Sequence, residues 1–285
     1  MRVVRILGSA AGGGLPQWNC SCANCLAARA GKISPQTQSS IAVSADDERW
    51  FLINASPDLA RQIESTPALQ PLRDPPRNSP IAAVFLTNAD LDHALGLILM
   101  RQQLAPIVVY ATNETARALA WIDIVLKRFC GIEWRIIEPS PGDFVVPLSL
   151  EERVEVRAIE LGKSAAFQLR DEKSGISALV APAVGELTSE LREAVNTSDV
   201  VLFDGTFWSD DELSAVRPGA RRAREMNHLP IRDGSLDFLR DSPARRKIYT
   251  HINNTNPILM PGSSERRQVE QAGIEIACDG LEIVL

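Results

Sequence analysis

Short apolar runs, each broken by glycine, proline or charged residues, recur along the whole chain and set its elements. The run at 3–7, stopped by Gly8-Ser9, predicts a strand. The stretch from there to about Gln36 is rich in glycine and cysteine, has no period and reads as a long loop. Runs at 40–44 and 50–54 flank Asp46-Asp47-Glu48 and predict a hairpin. Pro57 opens a helix with Leu59 and Ile63 on one face, in keeping with proline in a first helical turn. The five prolines between 67 and 80 allow only an irregular connection. The unbroken apolar run at 81–86 predicts a strand buried on both faces.

Beyond it, helical and strand patterns alternate. A helix is expected over 94–103, a strand over 107–110, and a long amphipathic helix from the Thr112 cap to about Phe129. Several short strands are expected across 134–180, followed by helix 186–195, strand 200–203, helix 234–239, strand 248–250, helix 263–271 and strand 274–276. No composition break or linker separates the two β-rich halves, so a single α/β domain over 1–285 is expected.

The 45% hydrophobic and 23% charged content is that of an ordinary globular chain and excludes disordered, collagen-like and disulfide-scaffold classes. A net charge of −6 argues against a protein dedicated to phosphate backbones, and nucleic acid is not an expected partner. The apolar start is too short and too soon broken by glycine for a secretory signal, and no 18-residue apolar window occurs. A cytoplasmic protein without membrane insertion is therefore expected. Five cysteines, three of them at Cys20, Cys22 and Cys25, fit metal binding better than paired disulfides.

The chemistry concentrates in Thr87-Asn88-Ala89-Asp90-Leu91-Asp92-His93, between a buried strand and a helix start. Open α/β sheets place ligand sites at that edge. Two carboxylates and an imidazole within four residues point to a metal or an acid–base group; the bland alternative is a helix N-terminus stabilised by Asp90 and Asp92. Two further strand ends weaken that alternative: Asp204-Gly205-Thr206 follows one, and His251-Ile252-Asn253-Asn254 follows another. The chain has only three histidines, the third being His228 in a loop after the basic run Arg221-Arg222-Ala223-Arg224.

This constellation resembles the metallo-β-lactamase superfamily, whose motif is His-x-His-x-Asp-His, followed by a bridging Asp and a final His. Asn88 and Asp90 stand where the first two histidines would be, Asp92-His93 match, Asp204 falls at the bridging acid and His251 at the final histidine. The histidine expected near Glu160-Leu161-Gly162 is absent. The resemblance implies an αββα sandwich. Within the superfamily the likeness is to the B family of pyrroloquinoline quinone biosynthesis proteins. It is carried by residues 7–14, Pro16-Gln17-Trp18-Asn19-Cys20-Ser21-Cys22-Ala23-Asn24-Cys25, Ser56-Pro57-Asp58-Leu59, the 87–93 segment, Asp204-Gly205-Thr206-Phe207-Trp208 and 250–257.

A mixed set of Asp90, Asp92, His93, Asp204 and His251 suits a single Fe²⁺ or similar ion better than paired zinc. The family resemblance implies iron-dependent hydroxylation of the tyrosine ring in a Glu-Tyr-derived precursor of pyrroloquinoline quinone (PQQ). A carrier moving PQQ or its precursor towards the periplasm is the first alternative and a metal-dependent hydrolase the second. Asp92 is assigned a catalytic as well as a ligand role. His228 is the candidate for proton transfer or substrate orientation, with a structural role as its alternative. A second copy of the chain, as a homodimer, is the protein partner left open.

Cys20, Cys22 and Cys25 can converge on one structural Zn²⁺ at about 2.3 Å each, organising the loop over 12–36. Related phosphodiesterases supply the fourth ligand from a histidine three residues after the final active-site histidine. That position here is Asn254, so the fourth ligand is left between His251, Asn254 and another group. Cys130 and Cys278 read as small apolar residues. Gly12-Gly13-Gly14 reads as a turn and not a phosphate loop, since no Gly-Lys-Ser/Thr follows. Trp18 and Trp208 flank the metal segments and could cover a planar substrate, core packing being the alternative. The basic run, if it borders the site, could draw in a substrate with several carboxylates.

Overall fold

Runs of apolar residues on both faces of a strand require a layer on each side, and the computed structural model, which describes residues 3–138, 144–147 and 153–285, supplies them. Strands β1 (Val3–Gly8), β2 (Ser40–Ser44), β3 (Trp50–Ile53), β4 (Ile81–Phe85), β5 (Ile107–Ala111) and β6 (Ile132–Ile136) build the first sheet. The second contains β7 (Phe144–Pro147), β8 (Arg153–Leu161), β9 (Ser164–Asp171), β10 (Ser177–Ala181), β11 (Val200–Asp204), β12 (Arg246–Thr250) and β13 (Glu275–Ile276). The chain returns through β14 (Glu282–Val284) to the edge of the first sheet, giving the orders β14-β1-β2-β3-β4-β5-β6 and β13-β12-β11-β10-β9-β8-β7. Both sheets are mixed. β3 to β6 and β10 to β13 run parallel, so β4, β11 and β12 deliver the residues after them to carboxyl edges.

One apolar layer lies between the sheets, where Phe85 of β4 meets Phe167 of β9 edge-on at 5.4 Å and stacks on Tyr110 of β5 at 4.6 Å. A Phe85→Ala cavity there costs about 3–5 kcal/mol. Two outer layers complete an αββα sandwich. The outer face of the first sheet packs against α2 (Leu59–Glu64), α4 (Gly96–Leu99) and α6 (Ala120–Leu126). The outer face of the second packs against α1 (Ala23–Arg29), α7 (Ser189–Asn196), α8 (Leu236–Arg240) and α9 (Ser264–Gln271). Two short helices, α3 (Leu91–Ala94) and α5 (Asn113–Ala118), sit beside the first sheet's carboxyl edge. No helix among the described residues is long and apolar enough to cross a membrane.

The expected hairpin forms, with Ile41 opposite Ile53 and Val43 opposite Phe51. Thr112, Thr188 and Ser263 cap α5, α7 and α9 through their side chains, so α7 begins later than the pattern placed it. The helix expected over 94–103 instead starts at Leu91 and breaks before Gly96, whose amide donates to Ala55 O at 2.8 Å. A Cβ on Gly96 would lie 2.4 Å from Ser56 O, so only glycine allows this approach. The helix expected over 112–129 divides at Leu119, which ends α5 and precedes α6. Helix α1, buried through Asn24, Cys25, Ala27 and Ala28, lies inside the stretch read as loop. The helix expected over 234–239 opens as a π-type turn, Ile231–Ser235, before α8. Strands expected across 139–143 and 148–152 lie outside the described residues.

Candidate functional site

Three strand ends converge in space. Asp92 and His93 come from α3 after β4, Asp204 closes β11, and His251 follows β12 in the left-handed region at φ 56°. That conformation is uncommon for a residue with a Cβ and is held here by the surrounding bonds. Ile252 N donates to Ser9 O and Ala11 N to Ile252 O, both at 2.9 Å, which lashes this turn to the loop after β1. Gly12 in the same loop backs onto Asp92, where a Cβ would stand 3.2 Å from Oδ2.

His93 is fully buried and its ring orientation is fixed. Nδ1–H donates to Asn88 Oδ1 at 2.7 Å, with Thr87 Oγ1 at 3.1 Å as a second acceptor. Thr87 can accept because its hydroxyl proton goes to Asn54 Oδ1 at 3.0 Å. Nε2 of His93 is thereby left as a bare lone pair, buried and without a hydrogen-bond partner. It faces Asp92 Oδ2 at 3.8 Å, and His251 Nε2 lies 3.2 Å from the same oxygen. Nδ1 of His251 is engaged by Thr206 Oγ1 at 2.8 Å. Three acceptor atoms therefore point at one another, an arrangement that suits a divalent cation.

The electrostatics match that reading. Burial pushes the His93 imidazole down to about 4 despite the pull of Asp92, so it is neutral and able to ligate at neutral pH. Burial alone would raise the Asp92 carboxyl, but His93 and His251 outweigh it and hold the group well below the usual carboxylate range. Asp92, His93 and His251 offer two imidazoles and one carboxylate within 4.8 Å of one another, a donor set that fits a first-row divalent ion.

Asp204 and Asp90, read from the sequence as further ligands, are placed differently. Asp204 is fully buried with all its acceptor capacity engaged: Oδ1 by Thr206 N at 2.9 Å and Oγ1 at 2.6 Å, Oδ2 by Val184 N at 2.8 Å and His228 Nδ1 at 2.7 Å. Burial opposes its ionisation, yet the His228 charge and hydrogen bond keep its carboxyl lowered. It groups with His228 and His251, whose rings stack at 5.4 Å and 22°. Asp90 joins neither cluster and accepts from Asn88 Nδ2 at 2.7 Å.

His228 lines a cleft of about 480 Å³ with Asn88, Asp90, Lys163, Arg221 and Arg224. Burial lowers the ring's basicity, but Asp204 reverses this and raises it. With Nδ1 bonded to Asp204, Nε2 is the nitrogen left for a ligand. Of the basic run, Arg221 and Arg224 border the cleft, whereas Arg222 faces Asp210 at 3.7 Å. Trp208 is core, packed on the second sheet's outer layer, and Trp18 is 85% exposed, so the structure shows neither over the cleft.

A second cluster stands at the amino end of α1. The sulfurs of Cys20, Cys22 and Cys25 group within 4.8 Å, and Asn254 Nδ2 lies 3.2, 3.5 and 3.3 Å from them. One amide nitrogen has two protons and cannot serve three sulfurs, so the Asn254 side chain lies against all three thiols without satisfying them. Turning the amide over presents Oδ1 to the thiols' side, as a metal ligand would. His251 is directed at Asp92 and Thr206 and not at the thiols. Arg29 donates to Cys20 O at 2.5 Å and Gln17 O at 2.6 Å and so holds the loop on its helix. Cys130 is half-buried under Met100 O, and Cys278 is exposed.

The sequence pattern missed Asn54, Thr87, Asn88 and Thr206 as supports of the site. Thr206 had a signal, since an Asp two residues before a backbone amide commonly bonds it, as Asp204 does here. Asn88 stood at a histidine position and was scored only as a missing ligand.

The beta-lactamase superfamily domain matches residues 49–252. Coenzyme PQQ synthesis protein B of Cupriavidus taiwanensis is 40% identical with all of both chains covered, and that of Methylococcus capsulatus is 36% identical over 99% of this chain and 100% of the relative. The crystal structure of Zn²⁺-bound PqqB from Methylobacterium extorquens has a TM-score of 0.88 at 36% identity, covering 99% of this chain and 100% of that one. A diphosphatase from the PhnP family, 20% identical with a TM-score of 0.72 over 100% and 98%, shares the fold. The chain belongs to the beta-lactamase superfamily and, within it, to the family of the coenzyme PQQ synthesis B proteins.

Proposed function

We propose that the chain acts in PQQ biosynthesis as an iron-dependent oxygenase that hydroxylates the tyrosine ring of a Glu-Tyr-derived precursor. The observation that carries this is the convergence of His93 Nε2, His251 Nε2 and Asp92 Oδ2, a two-histidine, one-carboxylate set at a site where Asn88 and Asp90 stand in place of the motif's first two histidines. Fe²⁺ held by these three residues would supply the redox chemistry for hydroxylation by O₂. One oxygen atom of O₂ would enter a ring C–H bond and the other leave as water, with two electrons from an external reductant and two protons from solvent.

The protein's own contributions follow from the geometry. Asn88 and Thr206 each hold an Nδ1–H, so that His93 and His251 present Nε2. Asp90 orients Asn88, and Asp204 orients His228. His228 holds or moves a proton at Nε2 on the cleft side, where the ring hydroxyl of a tyrosine would lie. Cys20, Cys22 and Cys25, with Asn254 through its oxygen, hold a structural Zn²⁺ that pins the 12–36 loop against the segment carrying His251. A pure carrier has no use for the converging ligands, and a two-metal hydrolase needs the histidines this site lacks.

The test is the metal content of protein purified without oxygen. Iron bound in wild type, lost in Asp92→Ala and His251→Ala, and accompanied by separately retained zinc supports the reading. Zinc alone at both sites contradicts it.

A further inference from the structure

The cleft beside His228 carries charges of both signs, and they differ in how they are used. Asp90 is bonded to the Asn88 amide, and Glu225 accepts the backbone N–H of Arg222 at 2.8 Å. Glu114 sits in the first turn of α5, where the helix dipole favours an acid. The cations are less committed. Arg224 makes one long bond, to Asp233 O at 3.4 Å. Lys163, at the turn between β8 and β9, and Arg221 are exposed, and among the described residues neither has an ion pair or side-chain hydrogen bond.

We propose that Arg221 and Lys163 form a carboxylate-anchoring subsite, which makes the cleft a recognition site for an amino-acid-type ligand bearing at least one free carboxylate and directs that ligand's remainder towards His228. The planar guanidinium of Arg221 matches a carboxylate in two parallel hydrogen bonds, and Lys163 adds a mobile point charge from the facing turn. Lys163 lies in the β8–β9 turn and lines the cleft together with Arg221. Asp90 and Glu114, beside α3 and in α5, line the same cleft and would favour an ammonium on the ligand as well. An uncharged aromatic ligand would leave both sets unused. The inference rests on the active-site reading above.

The test is equilibrium binding under anaerobic conditions, without turnover, of the dipeptide glutamyl-tyrosine and of its fully amidated counterpart to the holoprotein. Wild type is expected to bind the free acid at least tenfold more tightly than the amide, with a preference that shrinks as salt is raised. Arg221→Gln and Lys163→Gln are each expected to abolish most of that preference while leaving amide binding within about twofold. Arg222→Gln, on a guanidinium outside the cleft, is expected to change neither. Equal affinity of wild type for both probes, no binding of either, or an undiminished preference in both variants overturns the inference. Oxygen consumption by the iron-loaded wild type separates the two claims: its absence alongside an intact carboxylate preference removes the hydroxylation reading only.

Discussion

Asn88 Oδ1 accepts the Nδ1–H of His93 at 2.7 Å, and the amide that accepts it cannot be turned over. Its Nδ2 donates to the Asp90 carboxylate at 2.7 Å and its Oδ1 also takes Asp90 N at 3.1 Å, so both ends of the amide are assigned by their partners. A residue standing where the superfamily motif has a first-metal histidine thus sets the tautomer of the histidine that remains.

Replacing Asn88 by Ala removes that lock and leaves the His93 ring free to change tautomer. Loss of such an orienting partner typically lowers metal affinity 10- to 100-fold. Competition of the variant with a chelator of known affinity is expected to show a drop in this range, with circular dichroism unchanged. Wild-type affinity in Asn88→Ala removes Asn88 from the site's machinery.

The two clusters are expected to lose metal independently, although His251 and Asn254 lie on one segment. His93→Ala is expected to lose iron and keep zinc. Cys22→Ser is expected to lower zinc content and melting temperature together, and Asn254→Ala to weaken zinc less than a cysteine variant does, because three thiolates remain. Equal zinc content in wild type and Cys22→Ser contradicts the structural zinc.

His228→Ala leaves all three converging donors in place. Iron stoichiometry near that of wild type is expected, with turnover slowed about 10²- to 10⁴-fold, the usual contribution of a positioned proton-transfer group. A variant that loses its iron assigns His228 to the ligand set.

The sandwich followed from the family resemblance carried by the 87–93, 204–208 and 250–257 segments, whereas the strands were legible because apolar runs of fixed length punctuated by glycine and proline leave few alternatives. The break at Gly96 was not, since it arises from a backbone approach to Ala55 and Ser56 that no local pattern records. Helix α1 was hidden because Cys20, Cys22 and Cys25 were read for their chemistry while Ala27 and Ala28 supply the buried face. Asp92, His93 and His251 were legible as candidates because their types and strand-end positions carry the signal, and the fold brings their donor atoms together. Asp90 and Asp204 were candidates by the same rule, which does not reveal that four protein donors engage the Asp204 carboxylate or that Asp90 accepts from the Asn88 amide.

Glu212 gives the fold a pH dependence of its own. Burial raises its carboxyl from 4.5 to about 7, against the lowering pull of the Thr255 hydroxyl and Trp208 N–H. The protonated form is the one the fold favours, so its contribution is full below about pH 4.5 and is lost as pH rises through about 7. Stability measured by denaturant is expected to fall by on the order of 2 kcal/mol across that window in wild type and to stay flatter in Glu212→Gln. Identical pH profiles for the two proteins contradict this assignment.

The claim that Asp92, His93 and His251 hold one redox-capable ion with open positions is tested most directly by oxygen consumption. Protein loaded with Fe²⁺ under nitrogen is mixed with a tyrosine-containing precursor, a reductant and O₂, and the uptake is compared with that of the zinc-loaded protein. Oxygen consumed in proportion to hydroxylated product with iron, and none with zinc or with Asp92→Ala, is the expected result. Tight binding of the precursor with no oxygen consumed under iron contradicts the claim and leaves a carrier.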